Sequence, residues 1–95
     1  NSPQSWWVKG EAERYLGEKN NAIESFSNSI IEAEITTELE YSSEHRDFAF
    51  LVLSHQSLGL LYENNDNRRA LYHIQEAIKI AYNTGNVLLL EDRFR

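Results

Sequence analysis

The feature that most constrains this sequence is a ladder of small and apolar residues that occurs twice with identical spacing. Its two copies are Ala22, Phe26, Ser29, Ile30, Ala33 and Ala70, Ile74, Ala77, Ile78, Ala81. Steps of i, i+4, i+7, i+8 and i+11 place such side chains on one face of an α-helix. The chain is therefore predicted to contain two similar helices, each of which buries that face.

A scarcity of helix-breaking residues predicts that the rest of the chain is also helical. Proline occurs once and glycine four times in the 95 residues, so a period near 3.6 dominates and the fold class is all-α. Ser2 is the expected N-cap of a first helix that has Pro3 in its first turn and stops at Gly17. A second helix is predicted over about 20–40.

A third helix is predicted over about 44–64. Ser42 or Ser43 is the expected N-cap, and Glu44 and Asp47 follow in the first turn, where a carboxylate is favoured by the helix dipole. Apolar residues occur on two sides of this segment. We therefore expect it to lie between neighbouring helices.

The polar stretch NNDN separates the third helix from a fourth over about 68–83. Asn and Asp favour turns, because they bond their own backbone and tolerate left-handed conformations. Gly85 is the expected left-handed residue at the end of the fourth helix. The segment VLLLEDRFR, residues 87–95, is predicted to open a further helix.

The two halves of the chain repeat one another. Gly10 and Gly59 occupy nearly the same place in their helices, and a polar turn follows each of those helices. One domain over 1–95 is therefore predicted, with a helix hairpin at about 3–40 and another at about 44–84. Hairpins of this kind bury their apolar faces by stacking on each other.

The order of residues in each hairpin resembles the tetratricopeptide repeat (TPR). The matching positions are Trp6, Gly10, Ala12, Gly17, Ala22, Phe26 and Ser29 in the first unit, and Leu58, Gly59, Tyr62, Ala70, Ile74 and Ala77 in the second. The resemblance implies a right-handed α-solenoid of antiparallel hairpins. Ala22 and Ala70 lie further apart than the ~34 residues of a standard repeat, so the chain is most similar to the long TPR-like repeats of bacterial regulatory and sensory proteins.

Composition and charge exclude several function classes. A net charge of −6 and a pI near 4.9 argue against a nucleic-acid surface. Cysteine is absent, and no apolar run approaches the roughly 20 residues of a membrane-spanning helix. We expect a cytoplasmic location, or a periplasmic one for a sensor. Because no methionine is present, the sequence is interpreted as an excised piece of a longer protein.

No set of residues in the sequence predicts catalysis, a cofactor or a metal. The phosphate-binding, nucleophile and zinc-protease motifs are all missing. His45, His55 and His73 are interpreted as ordinary surface or boundary residues. The alternating glutamates at the end of the second helix, Glu32, Glu34, Glu38 and Glu40, are interpreted as a solvated face. The protein is therefore not expected to be an enzyme.

The resemblance implies that a peptide or a partner helix binds in a groove formed by the first helix of each unit. The groove candidates are Trp7, Glu11 and Arg14 in the first unit and Gln56, Leu60, Glu63 and Asn64 in the second. Trp7 could equally pack on a preceding repeat. The Lys and Asn residues with which some TPR domains clamp a terminal carboxylate are replaced here, so that specificity is not expected.

The expected function is a non-catalytic module that binds a protein or peptide within a larger regulatory or sensory protein. One alternative is the ligand-sensing domain of a peptide-responsive transcription or phosphatase regulator. A membrane-anchored sensor with such an input region is a variant of this alternative. Another is self-assembly into a homodimer through the open ends of the stack.

Overall fold

The computed structural model describes residues 2–40, 42 and 45–95, and within them the chain is built from four α-helices. The helices are α1 (Pro3–Tyr15), α2 (Lys19–Leu39), α3 (Asp47–Tyr62) and α4 (Asn67–Thr84). Short turns join α1 to α2 and α3 to α4, so each pair forms a hairpin. No strand occurs in the described ranges, and the all-α prediction is confirmed.

Helix ends near the N-terminus follow the expected local signals. The Ser2 hydroxyl accepts a hydrogen bond from the amide of Ser5 at 3.1 Å, and Pro3 occupies the first helical turn. Gly17 has φ +80°, a left-handed conformation that suits glycine at the end of a helix. These three residues therefore set the bounds of α1 as predicted.

The predicted ladders face the interior. All five members of the first ladder are buried, and in the second Ala70, Ala77 and Ala81 are buried while both isoleucines are half-buried. Helix α2 packs on α1 and α3, helix α3 also contacts α1 and α4, and the core follows these seams. As expected, α3 has neighbours on more than one side.

The start of α3 differs from the prediction. The helix begins at Asp47 with Arg46 at its N-cap position. The Arg46 side chain makes no capping bond, and His45 Nδ1 instead accepts a hydrogen bond from the Asp47 amide at 3.0 Å. Ser42 is therefore not the cap, while Ser43, Glu44 and the predicted start of the second unit lie outside the described residues. Asp47 does lie in the first turn, where its carboxylate accepts a hydrogen bond from Thr36 at 2.7 Å.

The turn between α3 and α4 lies at the polar stretch NNDN, as predicted. Helix α3 ends at Tyr62, and α4 begins at Asn67. Asp66 caps α4 by accepting a hydrogen bond from the amide of Arg69 at 3.1 Å. Gly85, with φ +75°, ends α4 as predicted.

The C-terminal segment, residues 87–95, does not form the expected fifth α-helix. It makes two short 3-10 turns, Val87–Leu89 and Asp92–Phe94, which are separated by extended backbone at Leu90 and Glu91. Leu90 is 2% exposed and packs against Val52, Ala77 and Ala81. The segment lies against both α3 and α4, because burial of Leu90 there outweighs the continuation of a helix into solvent.

Candidate functional site

The first helices of the two hairpins, α1 and α3, lie side by side. The rings of Trp7 and Phe50 contact each other across this seam, with centroids 6.0 Å apart. Further along, the Ser57 hydroxyl donates a hydrogen bond to the Glu11 carboxylate at 3.0 Å. The seam therefore holds an aromatic contact and a polar contact, and it carries two of the predicted groove residues.

Trp7 is half-buried and packs against the main core cluster. Its alternative interpretation, packing on a preceding repeat, does not describe this contact, since the ring lies against α3. The indole Nε1 is buried and has no hydrogen-bond partner among the described residues. An unpaired buried donor costs roughly 1–3 kcal/mol, so the indole is held there by its apolar contacts.

Glu11 and Arg14 form an exposed polar pair on α1. An Arg14 guanidinium nitrogen lies 2.6 Å from a Glu11 carboxylate oxygen, and the other Glu11 oxygen accepts from Ser57. Arg14 is exposed, whereas Glu11 is partly covered by α3. An ion pair of this kind adds little stability, so these charges can be rearranged around a ligand at small cost.

Gln56 is not an open groove residue. It is 7% exposed, and its side-chain amide donates a hydrogen bond to the carbonyl of Leu89 at 3.2 Å. The amide oxygen also accepts from the backbone N–H of Glu91 at 2.8 Å. Both hydrogen-bonding ends of the side chain are therefore used to hold the C-terminal segment on α3.

Glu63 holds the same segment from the surface. Its carboxylate accepts hydrogen bonds from two guanidinium nitrogens of Arg93, at 2.9 and 3.3 Å. This pairing raises the pKa of the Arg93 guanidinium. Asn64 lies in the exposed turn beyond α3 and makes no side-chain hydrogen bond within the described residues. Gln56 and Glu63 thus bind the end of the chain, and Asn64 stands apart.

Leu60 lines an open apolar cleft. The cleft has a volume of about 260 Å³ and is bounded by Gly59, Leu60, Glu63, Asn67, Ala70, Leu71, Ile74 and Phe94. Phe94 belongs to the C-terminal segment, which therefore forms one wall. Among the predicted groove residues, Leu60 and Glu63 are brought together here, while Trp7 and Glu11 lie along the α1–α3 seam and Arg14 pairs with Glu11.

A histidine pair between α3 and α4 was missed by the sequence reasoning. The Nδ1 atoms of His55 and His73 are 3.0 Å apart. Tyr62 stacks on the His73 ring, and Tyr72 contacts both imidazoles edge-on. Because the two histidines are on different helices, no spacing within one helix could have indicated the pair.

Burial keeps this pair neutral. Desolvation, followed by the charge that His73 would carry, lowers the pKa of His55 to about 4. Desolvation and then Arg69 also lower the pKa of His73. In the neutral pair, one Nδ1–H donates to the other Nδ1. The expected ordinary boundary role is therefore wrong for His55, which is 4% exposed.

No group of three or more His, Asp or Glu residues that could hold a metal ion is found among the described residues. The third histidine, His45, contacts Glu40 at 3.1 Å, near the end of α2.

Comparisons with known proteins identify no relative. No family model, no curated protein and no solved structure matches the chain. Within the described residues, none of the helices has the length and apolar character required to span a bilayer.

Proposed function

We propose that this chain is a TPR-like stack of antiparallel hairpins with right-handed superhelical twist, and that it binds a protein or peptide without catalysis. The proposal is supported by a glycine contact that occurs separately in each hairpin. A Cβ at Gly10 would lie 2.7 Å from the Phe26 ring, and one at Gly59 would lie 2.5 Å from the Ile74 side chain. In each hairpin, a glycine therefore lets a large residue of the second helix pack against the first.

The arrangement of neighbours also supports stacking. Helix α3 packs on both helices of the first hairpin, and the 3-10 turn Val87–Leu89 packs on both helices of the second. The C-terminal segment thus occupies, relative to α3 and α4, the place that α3 occupies relative to α1 and α2. Each unit presents its end to the next element, which is how repeat arrays bury a continuous core.

The observation that carries the binding function is the apolar cleft beside Leu60. It is lined by residues of α3, α4 and the C-terminal segment, and the polar residues Glu63 and Asn67 lie among mostly apolar neighbours. A cleft of this size accepts one or two apolar side chains, and the rim can hydrogen-bond a peptide backbone. We infer that such a module serves a larger regulatory or sensory protein.

A library of displayed peptides selected against the chain tests this function. Peptides that bind should lose at least tenfold in affinity when Leu60→Glu places a carboxylate in the cleft. Leu88→Glu is the matched control, because Leu88 is 83% exposed and lines neither this cleft nor any other proposed binding surface. Circular dichroism should be unchanged for both variants. Equal losses for the two variants, or no enriched peptide at all, would count against a groove at Leu60.

A second function, self-association, is favoured by the open face of α1. Val8 and Tyr15 on this face are 52% and 93% exposed, and Leu16 just beyond it is 71% exposed. Shifted by one unit, Val8 corresponds to Ser57, which contacts the preceding hairpin through Glu11. Sedimentation should then give a mass that rises with concentration, and Val8→Lys should abolish the rise. A constant monomer mass would eliminate this function.

A further inference from the structure

The outer face of α2 carries an apolar stripe that nothing in the described chain covers. Ile31, Ile35 and Leu39 follow one another at steps of four residues and are 53%, 48% and 83% exposed. Residues four apart are neighbours on a helix surface. The three side chains therefore form one continuous ridge from the middle of α2 to its end.

Carboxylates flank this ridge without any cation to neutralise them. Glu24, Glu34 and Glu38 are exposed on α2 and form no ion pair within the described residues. In the sequence, six glutamates and no Lys or Arg occur between Lys19 and Arg46. The ridge is therefore apolar along its crest and negatively charged along its sides, and we call it the acidic face.

A cleft of about 230 Å³ opens beside the acidic face, between α2 and α4. Its α2 wall includes Ile31 and Glu34, its floor includes Leu58, and its α4 wall includes Tyr72. Tyr72 is 55% exposed. The cleft therefore offers an apolar side chain a partly enclosed position next to Ile31, with the Glu34 carboxylate at its edge.

The charges on α4 do not reverse this character. Glu76 and Lys79 pair with each other at 3.0 Å, so they add no net charge. Arg69, at the start of α4, pairs with Asp66 at 3.5 Å. Arg68, exposed in the first turn of α4, forms no ion pair within the described residues, and this single cation does not balance Glu24, Glu34 and Glu38 of α2.

The nature of this face selects among the partners that it could take. Two copies meeting through it would bring their glutamates together, and like charges at an interface cost free energy. Phosphate-rich surfaces of nucleic acids and anionic membranes are repelled for the same reason. A helix with apolar residues at steps of four and Lys or Arg on both flanks complements both the crest and the sides.

We propose that the acidic face of α2, together with the cleft beside Ile31, binds a basic amphipathic helix of a protein partner. This goes beyond the proposed groove function, because it uses the outer face of α2, which contributes no residue to the cleft beside Leu60. The apolar residues of the partner pack on the ridge, one of them enters the cleft, and its flanking cations pair with Glu34 and Glu38.

A synthetic peptide with leucines at i, i+4 and i+8 and lysines on both flanks tests the proposal. Titration should give saturable one-to-one binding, and backbone amide shifts in NMR spectra should change along α2. A peptide with glutamates in place of the lysines should not bind. A peptide of the same composition in scrambled order separates helix recognition from charge attraction. Equal binding of the scrambled peptide would overturn the proposal.

Variants of the chain locate the site. Ile31→Glu with Ile35→Glu should weaken binding at least tenfold, and Glu34→Lys with Glu38→Lys should do the same. These residues are exposed, so circular dichroism should be unchanged. Leu60→Glu is the control, and it should leave binding of this peptide intact. Unchanged affinity in both double variants would overturn the proposal that the acidic face is the binding site.

The two functions can fail separately. A peptide that loses binding with Leu60→Glu, but not with the α2 variants, supports the groove and overturns the acidic face. The reverse result supports the acidic face and removes support from the groove. Sedimentation of the chain without peptide is the remaining check, since a self-associated mass that Ile35→Glu reduces would identify a second copy as the occupant and overturn the proposal.

Discussion

The two hairpins share their spacing but fill it with different chemistry. In the first, Phe26 is fully buried against Gly10, and the Ser29 hydroxyl donates to the Pro3 carbonyl at 2.8 Å. Ser54 of α3 in turn donates to Ser29 at 2.9 Å. Buried hydrogen bonds thus connect three helices at the centre of the first hairpin.

In the second hairpin, the position of Ser29 is taken by Ala77, which packs with Val52 and Leu90. Ile74 replaces Phe26 and is only half-buried. The polar contact moves to the histidine pair, where His73 occupies the position of Ser25. The small residues of the ladder are thus required for the close approach of the helices. The residues between them differ between the hairpins, because a different element packs on each hairpin.

Helix length differs for a local reason. Thr37 of α2 aligns with Gly85 of α4, where the chain turns into a left-handed conformation and the helix stops. Thr37 continues α2, because its hydroxyl can donate to the Ala33 carbonyl at 2.7 Å while its backbone stays helical. Continuation of the helix at this position makes α2 longer than α4 and adds Glu38 and Leu39 to the acidic face.

Truncation of the large ladder residue should give the largest difference in stability loss between the two hairpins. Phe26→Ala removes a fully buried ring, and we expect it to lower the free energy of unfolding by about 3–5 kcal/mol. Ile74→Ala should cost about half as much, because that side chain is partly exposed. Urea unfolding monitored by circular dichroism measures both. Equal losses in the free energy of unfolding would mean that both hairpins depend equally on this ladder position.

Acid should weaken the second hairpin through its histidine pair. The pKa of His55 is about 4 in the folded chain, against 6.5 for a histidine that is not buried, as in the unfolded chain. The unfolded state therefore binds more protons between these values, and stability present above pH 6.5 is lost as the pH falls toward 4.

The expected loss is about 3 kcal/mol, from the conversion of the pKa difference of His55 into free energy. Urea unfolding at pH 7 and pH 5 should show part of it, and His55→Gln should flatten the dependence. The same slope in the variant would place the acid sensitivity at another group, for example at His73, whose pKa is also lowered by burial.

Replacement of the glycine at each helix contact by alanine should give a smaller difference between the hairpins. Gly10→Ala places its Cβ against the buried Phe26 ring and should cost about 1–2 kcal/mol after the gain in helix propensity. Gly59→Ala should cost less, because the half-buried Ile74 can rotate away. Thermal unfolding measures both. A more stable Gly10→Ala variant would contradict the close approach of α1 and α2.

The smallest expected difference lies at the helix starts. Asp66 caps α4 with its side chain, whereas Glu18 at the same place before α2 makes no capping bond. Asp66→Ala should therefore cost about 1 kcal/mol and Glu18→Ala nearly nothing. Thermal unfolding of the two variants measures the difference. Equal effects would show that the cap contributes nothing to α4.

Much of the fold could be predicted because its signals are local. Ser2 and Pro3 start a helix, and Gly17 and Gly85 end one, by rules that involve only a few neighbouring residues. The ladders were predictable because helical periodicity alone assigns their face. The start of α3 was not, since Arg46 at the N-cap position makes no capping bond, and the contacts of Asp47 with His45 and Thr36 form only in the folded chain.

The candidate site was less predictable, because it depends on contacts between distant residues. Gln56 and Glu63 were expected in an open groove, and whether they are free depends on where residues 87–95 lie. The burial of Leu90 decides that position, and nothing near Gln56 in the sequence indicates it. His55 and His73 likewise meet only after α3 and α4 have packed.

The attachment of the C-terminal segment by Gln56 has a consequence for sequence variation among homologues. Its amide bonds a carbonyl and an N–H of the main chain, so these two hydrogen bonds do not depend on the side chains at 89 and 91. Leu89 also packs on the core cluster around Leu90, so position 89 must stay apolar. Position 91 can vary, provided that it does not become proline, which lacks the N–H. Homologous chains should therefore vary more at 91 than at 56.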